Sequence, residues 1–152
     1  MDVAAYDLLK KKYSLPDFSL LDSEFEISAI ESDAFVLKNV CKKIGEKIER
    51  VISVIEKLIQ PAAECYADFY EYKFFRNAER DALFVLFKEL MHTHREILEL
   101  ELIEDEKAYA EFIKRVFVDW KEMKKSLLPV FSKLKSVWKE TAEEKEKLEY
   151  LG

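Results

Sequence analysis

Two stretches of this chain repeat apolar residues in alternating steps of four and three without an error. Leu37, Cys41, Ile44, Ile48, Val51, Ile55 and Leu58 form the first; Tyr109, Ile113, Val116, Trp120, Met123, Leu127, Val130, Leu134 and Val137 form the second. Side chains at that spacing share one face of a helix and cannot share one face of a strand, whose period is two. Each run therefore calls for a long helix with one side buried. Val36, Val40, Ile52 and Ile59 widen the first stripe, and Phe112, Phe117, Phe131 and Trp138 the second. A stripe this broad suits a helix in a globular bundle better than a two-stranded coiled coil.

A third helix is expected over 78–102, with Asn77 as its N-cap. Its expected inward face is Leu83, Phe87, Leu90, His94 and Ile97, flanked by Phe84, Met91 and Leu98. The acidic stretch Glu104-Asp105-Glu106 suits a turn and the start of the following helix, where the dipole favours negative charge. The fold class is thus all-α: a single domain, 1–152, built as a bundle of three long antiparallel helices near 33–60, 78–102 and 105–140. Shorter helices are expected at 2–12 and 62–75. Residues 13–31 read as a packed connector with a short helical turn, because Leu15, Phe18, Leu20, Leu21, Phe25, Ile27 and Ile30 need cover among the Pro, Ser and Asp residues. Ser28 and Glu31 have capping-box spacing, and Ser32 or Asp33 is an equally good helix start. Gly45, inside the first stripe, implies a close helix approach, since glycine there costs about 1 kcal/mol relative to alanine. Pro61 ends the first long helix, and Pro129 implies a kink or break in the last one, with the register surviving. The charged tail 143–152 is expected to fray.

Composition narrows the chemistry. Two glycines cannot build a Gly-rich phosphate loop, so P-loop and Rossmann sites are excluded and no cofactor is expected. Two isolated cysteines make no disulfide framework, and Cys41 belongs to the apolar stripe. The N-terminus has acids where a secretory signal needs cations. The longest run of large apolar residues, Leu83 to Phe87, is far short of the ~18 that a membrane span needs. The expected location is the cytoplasm. One Gln and two Asn stand against twenty Lys and twenty-two Glu, a thermophile-like balance that helix preference also promotes.

A helical bundle invites a metal reading. Glu89-x-x-His92 with Glu96 places three ligand types on one face, but a carboxylate-bridged di-iron site needs a second Glu-x-x-His, and the only other histidine, His94, sits elsewhere on the helix. His92 reads as a solvated side chain and His94 as a hydrogen-bonded core histidine, and neither cysteine has a histidine near it in sequence. No catalytic or metal-ligating residue is assigned; an enzymatic or metal bundle using His92, His94 or Cys65 is the weakest reading.

Two features point to binding. Tyr66, Phe69, Tyr70, Tyr72, Phe74 and Phe75 crowd one short segment, and Tyr66, Tyr70 and Phe74 would stack on one helical face. Between 114 and 139, eight cations face two carboxylates, a local +6; the chain's −6 then leaves −12 elsewhere. Lys114, Lys121, Lys125 and Lys135 project from the outward side of the last helix, clear of its seam. Such a stripe suits a nucleic-acid-associated accessory factor, yet lysines outnumber arginines and no aromatic interleaves, so a solvated face is the plainer use. The favoured expectation is a non-enzymatic bundle that meets a protein partner or itself, with Tyr66, Tyr70, Phe74 and those four lysines as its contact residues.

Overall fold

The computed structural model describes residues 3–32 and 34–139. The charged tail expected to fray lies outside them, as does Asp33. Within them the chain is all-α, with six helices: α1 Val3–Tyr13, α2 Phe18–Phe25, α3 Val36–Ile59, α4 Tyr66–Lys73, α5 Asn77–Ile103 and α6 Glu106–Val137. A single 3₁₀ turn, Ile27–Ala29, follows α2. No helix among the described residues is long and apolar enough to cross a membrane.

The long helices run alternately up and down. Lys38 at the start of α3 bonds Glu104 at the end of α5, and Gly45 meets Ile97, so α3 and α5 are antiparallel. Arg115 pairs with Glu96, and Lys133 with Glu79 at 2.7 Å, so α5 and α6 are antiparallel too. Gly45 is where the close approach was expected: a Cβ there would lie 3.3 Å from Ile97 Cδ1. The core is the shared ground of these helices, with Ile44, Ile48, Ile55, Leu58, Leu90 and Ile113 fully buried.

On the side of α3 and α6 away from α5, the N-terminal arm closes the core. Leu15, Leu21, Phe25, Ile27 and Ile30 are all buried there, so residues 13–31 are packed as expected. They hold more helix than the sequence suggested. Asp22 organises the exit from α2: its carbonyl accepts Glu26 N–H at 2.8 Å, and its carboxylate accepts Ser28 N–H at 2.6 Å. Ser28 therefore caps nothing; it lies in the 3₁₀ turn, and α3 begins only at Val36. Glu24 joins the arm to α6, accepting Trp120 Nε1–H at 3.0 Å and pairing with Lys124.

Helix ends show the consequence of scarce glycine. Ser14, Glu26 and Glu104 take left-handed backbone (φ 54–55°) just past the ends of α1, α2 and α5, where glycine is the usual residue. At Ser14, Leu15 N–H reaches back to Lys10 C=O at 3.2 Å, and Leu15 is buried, so packing holds a conformation that a non-glycine residue adopts at a cost of about 1 kcal/mol. Asn77 is the first helical residue of α5 rather than its cap. The cap is Arg76, whose N–H is accepted by Glu79 at 2.8 Å. Pro129 does not break the helix: α6 continues through it to Val137.

Candidate interaction surfaces

Residue by residue, α4 explains its aromatic excess. Tyr66 and Tyr70 stack with centroids 6.0 Å apart, and Tyr70 meets Phe74 edge-on at 5.2 Å, so these three share a face as the spacing predicts. Tyr70 also lies 4.9 Å from Trp138 just beyond α6 and donates to Val137 C=O at 3.4 Å. Trp138 in turn donates its indole N–H to Glu71 at 2.8 Å. The ladder thus ties α4 to the end of α6. Its members differ in burial: Tyr66 is 69% exposed and Trp138 51%, while Tyr70 and Phe74 are half-buried and Phe75 lies in the core under the Lys133 ammonium. The residue of α4 that is buried is a carboxylate, Asp68, 3.5 Å from Lys57 of α3.

The basic face of α6 points outward as expected, but its charge is largely matched. Lys114 pairs with Glu111 at 2.7 Å and Lys125 with Glu122 at 2.8 Å. Lys121 lies 4.1 Å over the Phe117 ring. Lys135 is exposed. Of the remaining cations on this helix, Arg115, Lys124 and Lys133 are held by Glu96, Glu24 and Glu79. A phosphate backbone would have to compete with carboxylates already in place.

Neither histidine joins a cluster. The buried seam of α5 is Leu83, Leu86, Leu90, Thr93, Ile97 and Leu100, rotated from the expected face, so Thr93 takes the central place given to His94. Thr93 can occupy it because its hydroxyl bonds back to Glu89 C=O at 3.0 Å. His94 is half-buried beside the seam instead of hydrogen-bonded in the core. His92 is exposed, on the rim of a groove with Glu89, Asp119 and Glu122. Among the described residues no three His, Cys, Asp or Glu side chains are placed to hold a metal ion. Cys41 is buried, and burial pushes its thiol well above the ordinary range. Cys65 precedes α4 and is half-exposed.

Rotation of α5 leaves a second apolar row in view. Phe84 and Leu98 are exposed, Phe87 and Met91 half-buried, and Leu102 is 87% exposed. Phe84 and Phe87 stack 6.4 Å apart, and Lys88 sits 5.4 Å over the Phe84 ring. The spacing puts Phe87 on the inward face and Phe84, Met91 and Leu98 at its flanks. The signal that separates the rows was present as apolar doublets (Leu83-Phe84, Leu86-Phe87, Leu90-Met91, Ile97-Leu98), whose first members are buried.

In comparisons with known proteins, no family model, no curated protein and no solved structure matches this chain.

Proposed function

We propose that the chain is a non-enzymatic helical-bundle protein that acts by contact with other proteins, either a distinct partner or further copies of itself. The observation that carries this reading is the outer row of α5, where Phe84, Leu98 and Leu102 stand exposed at helical spacing with Phe87 and Met91 between them. Covering such a row removes apolar area from water at about 25 cal/mol per Å². Rows of this kind on a folded surface mark contact sites. The exposed rings of Tyr66 and Trp138 add a second apolar area at the end of the bundle. The use of charge also supports it: Glu24, Glu79, Glu96 and Glu106 each end on a cation of another helix, which is a structural employment of carboxylates.

Site-specific photo-cross-linking tests this reading. A photoreactive side chain at Leu102 should yield protein adducts in the native cell extract, whereas one at the exposed Glu111 should not. Equal labelling from both positions, or none from either, would sink the reading.

A further inference from the structure

The second heptad run gives α6 nine inward positions, and two of them, Met123 and Val130, remain half-exposed. Both lie where α5 and α6 stand apart. Two ion pairs clasp these helices, Arg115 with Glu96 at one end and Lys133 with Glu79 at the other. Among the described residues no other hydrogen bond or ion pair joins α5 to α6. From Glu79 to Glu96 is about 25 Å of helix. Between the clasps runs an open groove, two cavities of about 440 and 640 Å³ that adjoin at Leu86, Glu89 and Ser126.

The floor of the groove is apolar, formed by Leu83, Leu86, Met123 and Val130. Its rims are acidic. Glu89 stands on the α5 side without an ion-pair partner among the described residues. Asp119 and Glu122 stand on the α6 side, Asp119 3.8 Å from Arg115 and Glu122 bonded to Lys125. Pro129 lines the same groove and has no N–H, so the carbonyl of Lys125 lacks its usual helical donor. A seam spaced for a helix, open over four to five turns and edged with carboxylates, defines its complement.

We propose that this groove receives one amphipathic helix of a partner protein, with its apolar face on Met123, Val130 and Leu86 and lysine or arginine flanks toward Glu89, Asp119 and Glu122. The occupant is a helix because the half-exposed seam residues recur at helical spacing and the opening holds about four turns. Its flanks are basic because the groove's lining holds four carboxylates (Glu79, Glu89, Asp119, Glu122) against two lysines (Lys125, Lys133), and Glu89 is unpaired among the described residues. The inference shares its class with the interaction reading but uses a different surface from the outer row of α5.

Two synthetic helical peptides with the same leucine seam, one flanked by lysine and the other by glutamate, test it by calorimetric titration into the full chain. The lysine peptide should bind at one per chain, at least about tenfold more tightly than the glutamate peptide. Glu89→Lys should erase most of that preference, whereas Glu111→Lys, outside the groove, should leave it intact. Ser126→Trp, which fills the groove from an exposed position, should abolish binding with the melting temperature unchanged; Ala82→Trp does the same from the α5 wall. The proposal is overturned if neither peptide binds. It is equally overturned if both tryptophan variants still bind, or if Glu111→Lys matches Glu89→Lys, because the attraction is then to the acidic surface at large. None of these failures touches the α5 outer row, which the cross-linking at Leu102 decides separately.

Discussion

Helices α3 and α5 are similar in length and pack on each other, yet they present their apolar residues differently. In α3, apolar doublets (Val36-Leu37, Val40-Cys41, Val51-Ile52, Val54-Ile55, Leu58-Ile59) make a broad face, and Lys42, Glu46, Glu49, Arg50, Ser53 and Glu56 fill the remaining arc. In α5 the apolar residues also come as doublets, and each doublet offers two faces one residue, or about 100°, apart. Both members of each α3 doublet are buried or half-buried, while α5 is rotated so that the first member of each doublet is buried and Phe84 and Leu98 stay exposed. How far neighbouring helices cover an apolar arc, rather than its width, decides which of its residues stay in water: α3 is packed on by α2, α4, α5 and α6, whereas α5 packs mainly on α3.

The sharpest way to break this comparison is to cut one doublet in both places. Ile97 is 4% exposed and Leu98 42%. Ile97→Ala should cost about 2–5 kcal/mol in urea unfolding, and Leu98→Ala under about 1 kcal/mol. Equal costs would mean that α5 is not rotated as described. The contact point of the two helices gives the next effect. Gly45→Leu must push Ile97 away and should cost about 1–3 kcal/mol. Gly45→Ala should stay within about 1 kcal/mol of the parent, because the gain in helix preference offsets a 3.3 Å contact with the flexible end of Ile97.

A smaller effect is expected where α6 meets α3. The Tyr109 hydroxyl is buried without a hydrogen-bond partner, beside Cys41, whose thiol approaches the Tyr109 carbonyl at 4.0 Å. Tyr109→Phe should therefore leave thermal stability unchanged or raise it by up to about 1 kcal/mol. A clear loss would reveal a partner for the hydroxyl. The smallest effect belongs to the start of α5. Lys133, and then the Arg76 N–H, hold the Glu79 carboxyl below its usual range. A carboxylate depressed on folding contributes stability above its unfolded pKa of about 4.3 and loses it as pH falls through the lower folded value. The melting temperature of Glu79→Gln should thus lie slightly below that of the parent at pH 7, and the two should converge in acid. Because Glu79 is 41% exposed, solvent screening keeps the difference small.

Legibility followed the same rule elsewhere. The α6 seam was readable throughout, and seven of its nine positions are buried. The other two, Met123 and Val130, line the groove, because a heptad states which residues are apolar and not whether a facing helix covers them. The shared face of Tyr66, Tyr70 and Phe74 was legible from spacing, as was the outward direction of Lys114, Lys121, Lys125 and Lys135. Their ionic partners were legible only where those lie one helical turn away, as with Glu111 and Glu122. Helix α2 was hidden because Pro16 and the Ser and Asp residues around it read as punctuation, while its exit depends on a left-handed Glu26 that propensity disfavours.

What the sequence by itself determined is the class and the long elements. Scarce glycine and proline with error-free four-three runs leave helices as the only regular structure that can bury those residues. The tertiary structure decided the rotation of α5, the burial of Asp68 on α4, the neutralising partners of the α6 cations and the opening between α5 and α6. Each of these depends on distances between residues far apart in the chain. Local periodicity sets which side chains must leave water, but only the packing of whole helices sets which surfaces remain uncovered.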